Sequence, residues 1–167
     1  MGDPRKSRKR FKRPKDPFDF SRIEEEKNIM KDYGLKNKKE IWRAQLEISR
    51  IRKEAKKLIL NPKDQEVFFN RLIRLGLVTK ESTIDDVLDL TKEKLLDRRL
   101  QTLVQKKGLA KTPRESRQLI IHKKIKIGKR IVTIPGYITK LEEEANITKI
   151  KIVKPKKALK VENAKEN

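Results

Sequence analysis

The chain has 167 residues, of which 46 are Lys or Arg and 24 are Asp or Glu, so its formal net charge at pH 7 is +22. Only 35% of the residues are apolar, which favours small helical units over a large sheet, and the excess positive charge predicts a polyanionic partner. No apolar run approaches the ~20 residues of a membrane-spanning helix, and the absence of Cys excludes disulfides and thiolate metal sites. Nucleic acid is therefore favoured over a membrane as the partner.

Residues 1–20 are predicted to form an extended basic arm. Pro4, Pro14 and Pro17 oppose helix formation, and the charge density opposes collapse. Such an arm is expected to bind phosphates, with Phe11 available to stack on a base; the alternative is a solubilising tail or an import signal. The candidate RNA contacts are the eight basic residues Arg5, Lys6, Arg8, Lys9, Arg10, Lys12, Arg13 and Lys15.

A helical domain is predicted over residues 21–97. Ser21 and Glu24 have the spacing of a capping box, and Gly34 is expected to end the first helix after Tyr33. The run Glu24–Glu26 suits the positive end of the helix dipole better than a metal site, because three successive residues cannot converge on one helix face.

The second helix is predicted to run from Asn37 to about Leu60. Trp42 is expected to anchor its packing. The opposite faces are basic and either face solvent or lie along phosphates, with Arg43, Arg50 and Lys53 as candidate contacts. The apolar stripe recurs every three or four residues and consists of Ile41, Ala44, Ile48, Ile51, Ala55 and Leu58.

Three further helical segments complete this domain in the prediction. Asn61–Pro62 is expected to start a helix that buries Phe68, Leu72 and Leu75 and ends at Gly76. A short helical turn is predicted over 84–88. Thr91 is expected to cap a helix that continues without interruption to Gly108.

The stretch from 111 to 134 is predicted to be a helix followed by a basic hairpin. Thr112, Pro113 and Glu115 form a complete capping-box pattern, with Arg114 and Arg117 free on the outer face. After this helix, "KIKI" predicts a strand, "GKR" a turn of undecided geometry at 128–130, and "IVTI" a buried strand.

The rest of the chain is predicted to alternate turns and extended pieces. Pro135–Gly136 is expected to turn, residues 138–141 to be extended, and 142–144 to be a polar connection. Residues 147–153 alternate like a strand, and 154–167 are expected to be a flexible basic tail.

Positive charge is concentrated between positions 97 and 130, where twelve Lys and Arg stand against two acids. The start of the Thr112 helix also offers free amides to a phosphate. We expect these residues to contact phosphates and sugars rather than to read bases. The candidates are Arg98, Arg99, Lys111, Thr112, Arg114, Arg117, His122, Lys123, Lys124, Lys126, Lys129 and Arg130.

Catalysis is not expected from this sequence. His122 is the only His, so it has no second His with which to bind a metal, and no nearby acid is placed to orient it as a base. The six glycines stand at turns and helix ends, and none belongs to a phosphate-binding loop. No cofactor, metal or small-molecule substrate is predicted.

The segment "DRRLQTLVQKKGLAKTPRESRQLIIHKKIKIGKRIVTIPGYI" resembles the RNA-binding module named after ribosomal protein S-four. The resemblance implies two helices against a three-stranded antiparallel sheet over residues 98–153, and hence a mostly helical α+β fold. Its turn is often Asn-Gly, whereas here the Gly is shifted. The motif positions are Arg99-Leu100, Gly108–Ala110, Thr112, Ser116-Arg117, Leu119-Ile120 and 125–132.

The upstream segment "YGLKNKKEIWRAQLEISRIRKEAKKLI" extends the resemblance to about residues 1–153 and to the archaeal type of the small-subunit ribosomal S-four family. The resemblance implies a cytoplasmic, ribosome-bound protein that binds 16S rRNA early in assembly, at a helix junction in the 5′ domain. It also implies a place near the mRNA entry channel beside the S-five and S-three families, with mRNA as a further candidate partner, and an influence on translational accuracy.

Two other classes of protein remain open on the residues alone. One is an RNA-modifying enzyme or a tRNA synthetase reduced to its RNA-binding portion. The other is a basic protein that compacts DNA.

Overall fold

Helices dominate the fold, and one small sheet follows them. The computed structural model describes residues 10–60 and 64–150; the predictions for Arg5 to Lys9, for the helix start at Asn61–Pro62 and for the chain beyond 150 lie outside these residues. The mostly helical α+β class is confirmed. The elements are α1 Phe20–Asp32, α2 Lys38–Leu60, α3 Gln65–Arg74, α4 Ile84–Leu88, α5 Lys92–Asp97, α6 Leu100–Lys106, α7 Pro113–Ile121, β1 Ile125–Ile127, β2 Arg130–Ile131, α8 Leu141–Ala145 and β3 Ile147–Lys149.

Helix α2 contributes five buried residues to the first hydrophobic core. Its predicted stripe is confirmed, because the first five positions are buried and Leu58 is half-buried. Phe68 and Leu72 of α3, as predicted, pack into the same core. A second core contains Leu100, Leu103 and Val104 of α6, Leu119 and Ile120 of α7, and Ile125, Ile127, Val132 and Ile147 from the sheet region.

Helix α1 begins two residues earlier than the predicted capping box requires. Asp19 is the N-cap, and its side chain accepts from the backbone N–H of Arg22, while Ser21 donates to Asp19 Oδ1 at 2.8 Å. The Ser21–Glu24 box is therefore wrong, since a better acceptor stands two residues before Ser21. The end of the helix is confirmed, because Gly34 follows it with a φ of 57°.

The predicted continuous helix from Thr91 to Gly108 is wrong, because it breaks at Arg98 and Arg99. Thr139 N donates to Arg98 O at 3.0 Å, and Leu100 N donates to Tyr137 O at 2.8 Å. Arg99 forms an antiparallel bridge with Ile138. The backbone groups that would close the helix are thus taken by a segment about forty residues later, which local periodicity cannot reveal.

The sheet is antiparallel with the order β2-β1-β3. Ile127 pairs with Arg130, so Gly128 and Lys129 form a two-residue turn. Gly128 has a φ of 58° and Lys129 has no positive φ, which is the pattern of a type II′ turn with Gly first.

Three predictions for the end of the chain need correction. The "IVTI" run is not a buried strand: Ile131 is 50% and Ile134 62% exposed, and only Val132 is buried, because β2 is an edge strand of two residues. Residues 138–141 make one bridge rather than a strand. The acidic run 142–144 is helical, as part of α8. The strand predicted from Ile147 is confirmed as far as Lys149.

Candidate nucleic-acid interface

Helix α7 is fixed at its start by Thr112 and by the turn between α1 and α2. Thr112 Oγ1 accepts from Glu115 N at 3.2 Å, as predicted. The prediction of a reciprocal bond from Thr112 N to the Glu115 carboxylate is wrong, since this carboxylate accepts from Lys111 N at 2.8 Å instead. A Cβ on Gly34 would stand 2.7 Å from the Pro113 Cβ, so the α1–α2 turn and the start of α7 are in close contact.

Seven predicted contacts near α7 and the hairpin have no intramolecular partner for their side chains among residues 10–60 and 64–150. Thr112, which also belongs to the predicted set, is exposed but uses its hydroxyl in the cap. Helix α7 has nine residues and is about 14 Å long, so Lys111 and Arg114 stand at one end of it and His122 and Lys123 at the other. The seven are Lys111, Arg114, His122, Lys123, Lys126 and Lys129, all exposed, and Lys124, which is half-buried.

Lys123 occupies a backbone position that usually belongs to Gly. Its φ is 59°, the only positive value at a non-Gly residue in the described ranges. Lys124 N donates to Leu119 O at 2.9 Å and closes the end of α7. A left-handed lysine costs on the order of 1 kcal/mol, which is the kind of local strain that functional sites retain.

Arg117 does not project freely outward, and this part of the prediction is wrong. Its Nη2 lies 3.1 Å from Glu40 Oε1, and its Nη1 lies 3.5 Å from Gln101 Oε1. Arg99 Nη2 lies 2.5 Å from Glu40 Oε2. Glu40 therefore joins α2 to the start of α6 and to α7 through two guanidinium groups that are largely withdrawn from solvent.

The environment of Glu40 favours its charged form. Burial alone raises the pKa of this carboxyl, but the hydrogen bonds from Arg99 and Arg117 and their positive charges outweigh it, so the pKa is lowered. Because the ionised acid is held by both arginines, the three side chains form one ionic cluster at the junction of the two cores.

Gln101 is a buried polar link at the same junction. Its side chain is 1% exposed. The amide nitrogen lies about 3 Å from the carbonyl oxygens of Tyr33, Gly34 and Pro113. It thereby ties the α1–α2 turn to the start of α7.

Arg98 also points into the protein. Its Nε donates to Leu75 O at 2.9 Å, Nη1 to Glu144 at 2.8 Å, and Nη2 to Thr139 O at 3.3 Å. Arg130 is more exposed, but it stacks over the Tyr137 ring with 5.6 Å between its Cζ and the ring centroid, and it lies 3.6 Å from Glu143.

The predicted contacts on α2 and the arm are exposed where the structure describes them. Arg43 and Lys53 project from α2 into solvent, and Arg50 lies 3.2 Å from Glu47. Arg10, Lys12, Arg13 and Lys15 are all exposed. Phe11 is not free to stack on a base as predicted, because its ring centroid is 6.1 Å from that of Trp42 and Lys39 Nζ lies 5.7 Å from it.

Sequence reasoning missed Glu26, Glu40 and Gln101. The side chains of Glu40 and Gln101 bond to residues that are distant along the chain, so no local spacing marks them, whereas one partner of Glu26, Arg22, stands four residues before it on the same helix. Two signals were available: the i,i+4 spacing of Arg22 and Glu26, and a Gln inside a run of apolar helix positions, which predicts burial but not the three carbonyls it meets.

Within the described ranges, no helix is long and apolar enough to cross a membrane, and no three His, Asp or Glu side chains are grouped as metal ligands would be. The S4 domain model matches residues 98–144. The protein named small ribosomal subunit protein uS4 from Methanothermobacter thermautotrophicus is 44% identical over 152 residues, covering 88% of this chain and 89% of that protein.

This chain belongs to the uS4 family of small-subunit ribosomal proteins. The uS4 proteins of Metallosphaera sedula and Ignicoccus hospitalis are each 48% identical to it, over 153 and 149 residues. These alignments cover 88% and 86% of this chain and 85% and 90% of the relatives. The resemblance inferred from the motifs, including its archaeal type, is thereby confirmed.

Proposed function

We propose that the protein is a structural constituent of the small ribosomal subunit, without enzymatic activity, that binds 16S rRNA through α7 and the hairpin. The observation that carries this proposal is the set of exposed cations at both ends of α7 and along β1 and its turn, whose side chains have no partner within residues 10–60 and 64–150. Such a set is costly in an isolated protein but favourable on a polyanion, where each bound phosphate releases counterions.

The predicted contacts divide into three groups in this proposal. Lys111, Arg114, Lys123, Lys126 and Lys129 contact phosphates directly, with Thr112, His122, Lys124 and Arg130 beside them. Arg43, Arg50 and Lys53 on α2 and the arm residues, from Arg5 to Lys15, extend the surface. Arg98, Arg99 and Arg117 act mainly through their bonds to the protein, because their guanidinium donors already meet Glu40, Glu144 and backbone carbonyls.

The proposed domain organisation has four segments. Residues 1–20 form the basic arm, 21–97 the helical domain, 98–153 the RNA-binding module and 154–167 the tail. Two observations support the boundary at 97: the break between α5 and α6, and the start of the S4 match at residue 98.

Family membership supports the finer functional proposals. The protein is cytoplasmic and ribosome-bound, enters early in assembly and binds a helix junction in the 5′ domain of the rRNA. It lies near the mRNA entry channel beside the S-five and S-three families, with mRNA as a further contact, and it influences translational accuracy.

Competition binding tests the proposal. The full-length protein is titrated onto labelled 16S rRNA in the presence of duplex DNA of equal nucleotide concentration, and the bound rRNA is mapped by crosslinking. We expect crosslinks confined to one junction in the 5′ domain and weak competition by DNA. Equal competition by DNA together with dispersed crosslinks would instead indicate a nonspecific polyanion binder.

A further inference from the structure

Glu26 is the most deeply buried acid among residues 10–60 and 64–150, with 3% of its surface exposed. Its Oε1 accepts from Arg22 Nη1 and from Trp42 Nε1, each at 2.9 Å. Lys38 Nζ lies 3.1 Å from Oε2, a charge contact without hydrogen-bond geometry. Two cations and an indole thus converge on one carboxylate between α1 and α2.

Two of these partners also hold the arm. Arg22 Nη2 donates to the backbone carbonyls of Asp16, at 2.8 Å, and Pro17, at 3.2 Å. The Trp42 ring faces that of Phe11 at an interplanar angle of 31°. The described part of the arm, residues 10–19, is therefore held at two points, once through its backbone and once through an aromatic side chain.

The two contacts hold a segment of the arm that carries four exposed cations. Arg10, Lys12, Arg13 and Lys15 lie beside or between the two held points and are exposed. A segment of this composition would otherwise lose its conformational freedom when it binds, and this loss weakens affinity. A segment already held against α2 avoids part of that loss.

We propose that Glu26 is a positioning residue for rRNA binding, which fixes Arg22 and Trp42 and through them holds residues 11–17 of the basic arm in place in the free protein. The proposal rests on the proposed rRNA-binding function and adds to it a device that presents the arm's cations in a set arrangement. Glu26 itself touches no RNA.

The ionisation of Glu26 is consistent with this role. Burial by itself raises the pKa of the carboxyl, but the hydrogen bond from Trp42 and the contacts of Lys38 and Arg22 lower the pKa below its ordinary value. The anchor is therefore intact at neutral pH, and it weakens only as the pH falls through the lowered pKa of Glu26.

The test compares two neighbouring charge removals in the full-length protein. Glu26→Gln keeps the size of the side chain and removes its charge, and Glu25→Gln removes the same charge from an exposed side chain 3.8 Å from Lys92. Trp42 is the only Trp, so acrylamide quenching of its fluorescence reports whether the ring is still covered. Affinity is measured on 16S rRNA.

We expect Glu26→Gln to raise the Kd for rRNA about tenfold relative to Glu25→Gln and to increase the quenching of Trp42. Phe11→Ala, which removes a surface ring and leaves the core intact, should give a similar loss of affinity. Combining Phe11→Ala with Glu26→Gln should add less than about twofold, since both act on the same anchor.

Several results would overturn the proposal. One is that Glu26→Gln and Glu25→Gln bind equally well, and another is that the losses from Glu26→Gln and Phe11→Ala multiply in full. If Glu26→Gln does not fold, an unchanged affinity in Phe11→Ala still refutes the idea. A wild-type protein that fails to select 16S rRNA would contradict the proposed function instead, which is a separate outcome.

Discussion

Replacing Glu40 by Ala should destabilise the protein by about 3 kcal/mol, because it leaves two guanidinium groups without their acceptor. The side chains of Arg99 and Arg117 are 10% and 21% exposed, and that of Glu40 is 19% exposed. Removing one partner of a buried ion pair typically costs about 3–5 kcal/mol, and the residual exposure places this cluster at the lower end.

The assay is urea unfolding monitored by circular dichroism, and Glu47→Ala is the control variant. Glu47 lies on the same helix 3.2 Å from Arg50, but both side chains are nearly half exposed. Such a pair contributes at most about 1 kcal/mol. We therefore expect a large loss of unfolding free energy for Glu40→Ala and a small one for Glu47→Ala. The dependence of the unfolding free energy on urea concentration should be the same in both variants as in the wild type.

The pH dependence provides a second readout for Glu40. Because the folded-state pKa of Glu40 is lowered, its contribution is fully present above the unfolded-state pKa and is lost as the pH falls through the folded-state value. The difference between wild type and Glu40→Gln should therefore shrink in acid. Equal losses for Glu40→Ala and Glu47→Ala, or a difference that does not change with pH, would refute the cluster as a source of stability.

Three backbone positions with a positive φ, at Gly34, Gly108 and Lys123, lead to two further predictions. Gly34→Ala should lower the free energy of unfolding, measured by heat or urea, by about 3 kcal/mol, since its Cβ would stand 2.7 Å from the Pro113 Cβ. Gly108→Ala, with a φ of 70° and no atom within 4 Å of the new Cβ, should lower it by only about 1 kcal/mol. Equal losses would contradict the close contact of α7 with the α1–α2 turn. Lys123→Gly should keep or raise the melting temperature by relieving a φ of 59°, while weakening rRNA binding about fivefold; a lower melting temperature would show that the Lys123 side chain stabilises the fold.

Local patterns predicted most of the helices and several of their ends, because the forces that set them act within a few residues. The α2 stripe follows from the 3.6-residue period, and Gly34, Gly76 and Gly108 end helices because each adopts a positive φ. The start of α7 was equally visible, since Thr112 and Pro113 act on the first turn alone.

Two of the errors arose where distant residues compete for the same groups. The break at Arg98 depends on hydrogen bonds to residues 137–139, and no Gly or Pro marks it. Arg99 and Arg117 have the same side-chain chemistry as Arg114, and only the position of Glu40, 59 and 77 residues away, separates arginines held by the protein from those open to a phosphate.

In the proposed function, particular cations rather than net charge bind the rRNA, and two charge-matched triple variants distinguish these two explanations. Arg114→Ala, Lys126→Ala and Lys129→Ala are combined in one protein, and the exposed Lys31, Lys80 and Lys94 are replaced by Ala in the other. The Kd for 16S rRNA is measured against salt concentration. We expect the first variant to lose about a hundredfold in affinity near 0.1 M salt, with a slope of log Kd against log salt concentration that is smaller by about two to three, and the second to stay close to wild type. Equal losses in the two variants would contradict the account.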